Sequence, residues 1–348
     1  MMLASPNKPQ IEQPSLAPLM VTDQASSTQG PSSYAFMFVC QKGPLEGLAL
    51  LLAASLKRFL NCQYELIAAV PRPGGKWGDL SPVTYQMLHT MGVRIEYFDN
   101  PISGEQKGDL LTNKIYCFDI PTIMEKSVFL DSDLLCLQEF AGNSRFSTPF
   151  NAAPTFLATG RNWEKIYEVN GVPMPTQLIS PLFSDELQPP YFNSGFVAIN
   201  TALSQSLFNT WLECFNQINS TGVMADNLYF REQVSLSIAV MKLGLDYDVL
   251  DKNYNFWVKG HPLNENELPY FLHHTWPYAP IYHQPYLINL VRSLVAEYPK
   301  IKPFVEQTRW KYYLRPAWIT AINRGLFQHR TWLRKRLGTS LAEAIIAA

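Results

Sequence analysis

The sequence predicts an α/β fold with a mostly parallel central sheet flanked by helices. Apolar segments rich in β-branched and aromatic residues recur about every 30 residues and alternate with helix-like segments, which is typical of βαβ units. The predicted strands cover 35–40, 64–70, 93–98 and 128–130. The predicted helices between them cover 44–60, 82–91 and 110–120. Ligands of such sheets bind beyond the carboxyl ends of the strands, so functional residues are expected at that edge.

The second half of the chain is less regular until residue 196. A strand is predicted over 196–200, helices are predicted over 204–218 and 227–243, and the segment from residue 287 onward is helical in pattern. We expect three parts: a flexible leader over 1–33 that is rich in Pro, Ser, Gln and Thr, an α/β domain over 34–285, and a helical extension over 286–348.

Composition excludes several classes of protein. Hydrophobic residues make up 47% of the 348 residues, which is enough for a large core, and the net charge of −1 does not favour nucleic acid. The five cysteines have no C-x-x-C spacing and suit reduced core residues of a cytosolic protein. No apolar run reaches the roughly 18 residues of a membrane span, and the N-terminus does not resemble a secretory signal. The expected location is the cytoplasm.

The C-terminal extension has a distinct charge. Residues 308–341 contain eight Lys or Arg and no Asp or Glu, with aromatic residues interleaved. This composition suits peripheral binding to an anionic membrane surface. The alternative is a segment that packs its aromatic residues on the α/β domain and leaves a solvated basic rim.

Two carboxylates directly follow the strand predicted over 128–130. Asp131 and Asp133 are expected to share one face at the strand end, where they can bind Mn²⁺ or Mg²⁺, which prefer oxygen ligands. The same D-x-D pattern recurs at Asp246 and Asp248, but there it lies within an alternating strand pattern and is expected to be structural. The topology therefore favours the first pair as the functional one.

Four segments resemble family-8, glycogenin-like glycosyltransferases and occur in that family's order between residues 34 and 285. Residues 111–118 and 126–133 resemble its Thr-Lys helix start and its K-x-V-x-x-D-x-D strand, and 191–200 resembles its F-N-A/S-G segment. Residues 232–233, followed by the Tyr-Asn-Phe of 254–256, resemble its D-Q helix and Y-N-F segment. Residues 271–274 stand at the place of its late histidine, which favours His273 over His274 as a ligand.

The resemblance implies a GT-A fold and a metal-dependent glycosyltransferase, with a hexosyltransferase expected, that uses Mn²⁺ or Mg²⁺ and retains the anomeric configuration. The donor is a nucleotide sugar, with a UDP-sugar as one candidate, and the acceptor is a glycan, a lipid or a protein. The implied metal ligands are Asp131, Asp133 and His273. The implied donor-binding residues are Lys114, Ser132, Ser194 and Gly195. The implied catalytic residues are Glu232, Gln233 and Asn193.

The residue types suit this chemistry on physical grounds. Departure of a nucleoside diphosphate builds negative charge that a cation and a lysine stabilise, and oxygen groups such as that of Glu232 support a cation-like sugar. A turn at 193–195 would let the backbone approach a sugar closely.

Two other functions remain open. The family's H-x-x-G-x-x-K-P-W motif is not matched after His273, where His-Thr-Trp-Pro follows, and this departure would suit a non-catalytic nucleotide-sugar-binding or scaffold protein. Phosphatases of the haloacid-dehalogenase type also have a D-x-D after a strand, but they need it on the first strand, and about 100 residues that are predicted to be ordered precede Asp131 here.

Overall fold

The computed structural model of the chain describes residues 33–102, 104–106, 108–141, 146, 148–257, 263–274 and 284–316. Its strands are β1 (Ser33–Val39), β2 (Gln63–Arg72), β3 (Arg94–Asp99), β4 (Lys126–Leu130), β5 (Leu134–Cys136), β6 (Phe150–Pro154), β7 (Phe192–Asn200), β8 (Tyr247–Val249), β9 (Phe256–Trp257) and β10 (Phe271–His273). Its helices are α1 (Pro44–Phe59), α2 (Gly74–Trp77), α3 (Pro82–Thr90), α4 (Asn113–Cys117), α5 (Trp163–Val169), α6 (Ser204–Thr221), α7 (Arg231–Lys242), α8 (Pro285–Glu297), α9 (Lys302–Val305) and α10 (Lys311–Leu314).

The central sheet of the described residues has seven strands in the order β3-β2-β1-β4-β7-β6-β8. All its pairings are parallel except those of β7, which runs antiparallel to both β4 and β6. A smaller sheet has the order β5-β10-β9. The predicted α/β class, with a mostly parallel central sheet and flanking helices, is confirmed.

Strand β1 shows why the sheet must be covered on both faces. Each of its residues is buried, and alternate side chains enter different cores because successive residues of a strand point to opposite faces. Tyr34, Phe36 and Phe38 belong to the core that includes α1, whereas Ala35 and Met37 belong to the core that includes α6 and α7. Because both faces of the strand are buried, its sequence is continuously apolar from Tyr34 to Val39.

The C-terminal helices α8 to α10 share the first of these cores. Helix α1 approaches α9 so closely that a Cβ on Gly47 would lie 2.2 Å from the carbonyl oxygen of Phe304. Trp310 and Tyr313 are buried in the same core as β1. Up to residue 316 the extension thus packs its aromatic residues on the α/β domain, and the division at 285 stays a prediction about domain organisation.

The remainder of the extension, with most of the proposed membrane-binding segment over 308–341, lies outside the described residues, as does the leader over 1–32. No helix among the described residues is both long enough and apolar enough to cross a membrane.

Two sequence predictions are wrong in detail. In place of the helix expected over 110–120, the structure has a 3₁₀ turn over Asp109–Thr112 followed by the short helix α4. Two side-chain hydrogen bonds stabilise this arrangement: the Thr112 hydroxyl donates to the carbonyl of Asp109, and the Asn100 amide donates to Asn113 Oδ1. The turn expected at 193–195 belongs instead to β7, because β7 pairs with β4 and β6 and its hydrogen bonds continue past Leu130.

Lys126 joins β4 to its neighbours from within the core. The side chain is fully buried, and its ammonium donates to the carbonyls of Phe146 at 2.9 Å and Thr148 at 2.5 Å and to Asn200 Oδ1 at 3.0 Å. A buried ammonium is tolerated only where such oxygens replace water. It ties the first residue of β4 to the segment before β6 and to the end of β7.

We therefore expect Lys126→Met to destabilise the fold by about 1–3 kcal/mol, because the oxygens left without a donor are desolvated. Urea unfolding followed by circular dichroism measures the effect. Lys165→Met is the control, because Lys165 lies on the surface of α5 and its ion pair with Glu168 is exposed. Equal midpoints for the two variants would contradict the prediction.

Candidate active site

Asp131 and Asp133 lie at the carboxyl end of β4. The Asp131 amide donates to the carbonyl of Gly195 at 2.8 Å, and the Leu134 amide donates to the carbonyl of Asp131 at 2.9 Å. The two carboxylates therefore flank a tight turn between β4 and β5, and they are not successive same-face residues of a strand as the sequence suggested. The turn still directs both into one cavity of about 570 Å³.

His273 completes a cluster with the two carboxylates. Ligand atoms of Asp131, Asp133 and His273 all lie within 4.8 Å of one another, with His273 Nε2 3.2 Å from Asp133 Oδ1 and 3.8 Å from Asp131 Oδ2. These are the three metal ligands that the family resemblance implied. Three donor groups of this kind can hold a divalent ion.

Asn255 sets the orientation of the His273 ring. Its Oδ1 lies 2.7 Å from His273 Nδ1, and because an amide oxygen only accepts, Nδ1 carries the hydrogen. In the neutral ring Nε2 then directs a lone pair at two carboxylates. A cation between the three groups would accept these lone pairs and remove the repulsion between them. Histidine ligands of metals commonly have their other ring nitrogen hydrogen-bonded in this way.

His274 faces the opposite way, since consecutive residues of an extended segment alternate in direction. Its ring lies 4.4 Å from that of Trp310, and burial lowers its pKa to about 3, so it remains neutral in the core. The structure thus places His273, and not His274, beside the two carboxylates.

Lys114 lies on the other side of Asp131. Its Nζ is 2.9 Å from the Asp131 carboxylate and donates to Ser194 Oγ at 3.3 Å. Burial alone would lower its pKa, but the charges of Asp131 and Glu232 outweigh burial and hold the pKa above its ordinary value. Lys114 is therefore a permanent positive charge in the cavity wall.

Burial also opposes ionisation of Asp133. When the His273 ring is protonated, its charge and its hydrogen bond to Asp133, together with the charges of Arg309 and Lys114, outweigh burial and lower the pKa of Asp133 to about 2. Asp133 is therefore an anion at neutral pH.

Glu232 and Gln233 lie in the first turn of helix α7 and line the same cavity. Ser194 Oγ donates to Glu232 Oε2 at 3.1 Å, whereas the buried Oε1 has no hydrogen-bond partner among the described residues. Burial, reinforced by the charge of Asp131, raises the pKa of Glu232 to about 7. Gln233 Nε2 donates to Tyr191 Oη at 2.8 Å and to Thr155 Oγ1 at 3.2 Å, which fixes the side-chain amide.

A buried ion pair fixes the start of α7. Arg231 Nη2 lies 3.0 Å from Asp109 Oδ1, and both side chains are almost completely buried. The pair ties the helix that carries Glu232 to the 3₁₀ turn that precedes α4 and Lys114. The elements that carry Lys114 and Glu232 are thereby held together.

Asn193 and Gly195 shape the floor of the site. Asn193 Oδ1 accepts a hydrogen bond from the Gly195 amide at 2.8 Å. A Cβ on Gly195 would lie 2.9 Å from both Asp131 Oδ2 and His273 Cε1, so only glycine permits the observed approach of these two side chains. The close approach of Asp131 and His273 thus depends on the absence of a side chain at Gly195.

Ser132 has a different position from the other predicted donor-binding residues. It borders the cavity, but its hydroxyl donates to the carbonyl of Val39 at the end of β1. Its side chain thus joins the ends of two neighbouring parallel strands. Lys114, Ser194 and Gly195, the other residues of this group, lie together around Asp131.

Several residues that line the cavity or support its lining residues were not identified from the sequence. Asn255 lies in the segment that resembles the family's Y-N-F segment. That resemblance is the sequence signal for Asn255, but it assigns this residue no role. Arg309 belongs to the basic extension, where one arginine among eight basic residues carries no distinguishing signal. Aromatic and polar residues from distant segments complete the wall: Thr155, Phe156, Tyr229, Phe230 and Trp257.

The raised pKa of Glu232 makes a prediction about stability. A carboxyl group whose pKa is higher in the folded state than in the unfolded state favours folding while protonated, so its contribution is lost as the pH rises from about 4.5 to about 7. We expect Glu232→Gln to be more stable than the parent chain at pH 8, by at most about 3 kcal/mol, and equally stable at pH 4.5. Urea unfolding at the two pH values measures the difference.

Glu164→Gln is the control for this prediction, because Glu164 is exposed on α5. Its unfolding midpoint is expected to equal that of the parent chain at both pH values. A Glu232→Gln variant that gains no stability at pH 8 would contradict a raised pKa.

Comparison with known proteins identifies the family. Residues 36–244 match the family model described as the Rhodobacterales glycosyltransferase domain, which covers more than half of the chain. No curated protein sequence matches the chain. Among solved structures, the crystal structure of mouse Xyloside xylosyltransferase 1 in its apo form is similar, with 16% sequence identity, a TM-score of 0.42, and coverage of 69% of this chain and 97% of that chain. The chain belongs to the Rhodobacterales glycosyltransferase domain family and is therefore a glycosyltransferase.

Proposed function

We propose that the protein transfers a sugar from a nucleoside-diphosphate sugar to an acceptor, with Mn²⁺ or Mg²⁺ bound by Asp131, Asp133 and His273. The observation that carries the proposal is the cluster of these three side chains at the carboxyl edge of the sheet, in a cavity that also contains Lys114. Family membership supplies the reaction class. The cluster supplies the reason to expect a metal and a diphosphate.

The donor set fits a hard divalent ion. Two carboxylates and one imidazole nitrogen leave coordination positions for phosphate oxygens, which is how Mg²⁺ and Mn²⁺ commonly bind nucleotides. When bound, the ion would act as a Lewis acid for the charge on the departing diphosphate. Asn255 would hold His273 in the tautomer that can bind it.

Lys114 would stabilise the same departing charge. Its ammonium is fixed between Asp131 and Ser194, so it needs no rearrangement as the sugar–phosphate bond breaks. Because it cannot lose its proton easily at this position, it acts through charge and hydrogen bonding rather than as an acid. Departure of the nucleoside diphosphate then requires no proton donor.

The reacting sugar is proposed to lie between the start of β7 and the start of α7. Asn193, Ser194 and Gly195 would border its hydroxyl groups, while Glu232 and Gln233 face the same cavity from α7. The buried oxygen of Glu232 that has no described partner is a suitable acceptor for a sugar hydroxyl or a stabiliser of positive charge at the anomeric carbon. Retention of configuration and membership of family 8 follow from the motif resemblance and belong to this proposal.

Among the candidate acceptors, a glycan best suits the aromatic wall of the cavity. Trp257 lies between this cavity and a neighbouring one of about 700 Å³ that is also lined by Phe183, whose side chain is 57% exposed. Aromatic faces combined with a few polar groups are typical of small-molecule sites. A lipid or protein acceptor and a peripheral membrane contact stay predictions from the sequence.

We expect Asp131→Asn or Asp133→Asn to reduce transfer about 100-fold or more, because changes even in the residues around metal ligands cost about 10- to 100-fold. The assay is Mn²⁺-dependent release of nucleoside diphosphate from a panel of nucleotide sugars. Asp248→Asn is the matched control: it belongs to the second D-x-D pair, on edge strand β8, and should retain full activity. Unchanged turnover in either cluster variant would refute the metal assignment.

The link between Asn255 and His273 gives a second prediction. Asn255→Ala should weaken Mn²⁺ binding about 10- to 100-fold while leaving the ligands themselves in place, because the ring loses the partner that orients it. Isothermal titration with Mn²⁺ measures this, and Asn253→Ala serves as the control from the same segment. Equal Mn²⁺ affinities for both variants would show that Asn255 does not position the ligand.

The donor panel also tests the alternative of a binding or scaffold protein, which the unmatched segment after His273 favours. Nucleotide-sugar binding without release of nucleoside diphosphate from any donor would establish that alternative.

A further inference from the structure

Arg309 brings a positive charge to the candidate active site from outside the segment that matches the family model. Its Nη1 donates to the carbonyl of His274 at 2.5 Å, and its Nη2 lies 3.8 Å from Asp133 Oδ2. The guanidinium lines the same cavity as the metal cluster and Lys114. The family model ends at residue 244, so this contact depends on the C-terminal part of the chain.

The fold holds Arg309 in this position. The next residue, Trp310, is 1% exposed, packs on the His274 ring, and has its amide bonded to Thr308 Oγ1 at 3.1 Å. Thr308 in turn packs beside Gly47 of α1, where a Cβ would lie 2.8 Å from its methyl group. Both sequence neighbours of Arg309 are therefore packed in the core, and this packing fixes the position from which the Arg309 side chain extends into the cavity.

The contact with Asp133 does not use the full binding capacity of the guanidinium. At 3.8 Å the two groups attract each other but do not form the short paired hydrogen bonds of an arginine–carboxylate fork. With 29% of its side chain exposed, Arg309 keeps donors that can reach a ligand in the cavity. Planar donors of this kind match phosphate oxygens.

The charges in the cavity also favour an anionic ligand. If a divalent ion neutralises Asp131 and Asp133, Lys114 and Arg309 remain as two positive charges beside the cluster, and Glu232, bonded to Ser194, is the one further acidic side chain among the described residues that line the cavity. The diphosphate of a nucleotide sugar carries two negative charges. The arrangement is thus complementary to a diphosphate held on the metal.

We propose that Arg309 binds the diphosphate of the donor, so that the C-terminal segment supplies part of the donor site. The inference rests on the proposed function and adds a donor-binding residue to it. Arg309 would act opposite Lys114, with the metal ligands between them. A purely structural role, in which Arg309 only links the C-terminal segment to the His274 carbonyl, is the alternative that the experiment must separate.

The test measures binding rather than turnover. Isothermal titration compares the full chain with Arg309→Gln and Arg309→Lys, using Mn²⁺ alone and then UDP, GDP, ADP and dTDP, each with Mn²⁺. We expect Arg309→Gln to weaken binding of the preferred nucleoside diphosphate at least about tenfold and to leave Mn²⁺ affinity unchanged or higher, because a positive neighbour of Asp133 is removed. Arg309→Lys, which keeps the charge but lacks the planar donors, should recover part of the affinity. Arg315→Gln is the control, since Arg315 lies over the Tyr312 ring.

Each outcome decides between the alternatives. Equal diphosphate affinity in the parent chain and Arg309→Gln would overturn the inference and leave the proposed function intact. Failure of the parent chain to bind any nucleoside diphosphate with Mn²⁺ would overturn both. If Arg309→Gln and Arg309→Lys lose affinity and thermal stability together, the role is structural and the inference is wrong.

Discussion

The backbone hydrogen bond from the Asp131 amide to the Gly195 carbonyl is the contact on which the site depends. It extends the antiparallel pairing of β4 and β7 by one step beyond Leu130, so the start of β7 runs beside the turn that carries Asp131 and Asp133. That register brings Ser194 to Lys114 and Glu232. It also places the glycine without a side chain where Asp131 and His273 approach each other. Reversal of one strand in an otherwise parallel sheet thus assembles residues from three parts of the chain.

Buried charge is balanced across the cavity. Lys114 lies against Asp131, Arg309 lies near Asp133, and Glu232 interacts with Lys114 through Ser194. Each ion would be costly to bury alone, and together they limit that cost. The pairing is incomplete around His273 and the two Asp carboxylates, where negative charge and a nitrogen lone pair converge. This uncompensated negative charge in the cavity is what a binding site for a cation requires, and the cation in turn can bind an anionic donor.

The part of the chain beyond the family match also contributes to the site. Strand β10 carries His273, the segment before β9 carries Asn255, and the segment between α9 and α10 carries Arg309. These elements are held by the small sheet β5-β10-β9 and by the packing of α8 to α10 against α1. The C-terminal segment is therefore both part of the core and a wall of the cavity.

The sequence by itself determined the α/β class, the positions of the first four strands along the chain, and the position of Asp131 and Asp133 at a strand end. These features follow from local patterns, because apolar periodicity and an abrupt change to polar residues are visible within a few positions. It also singled out His273, Lys114 and Glu232 by resemblance to known motifs. Only the tertiary structure decided that residues 193–195 form a strand, that the Ser132 hydroxyl bonds to Val39, and that Asn255 and Arg309 belong to the site. Those outcomes depend on strand register and on contacts between distant segments, and no local pattern in the chain encodes a distance between residues such as Arg309 and Asp133.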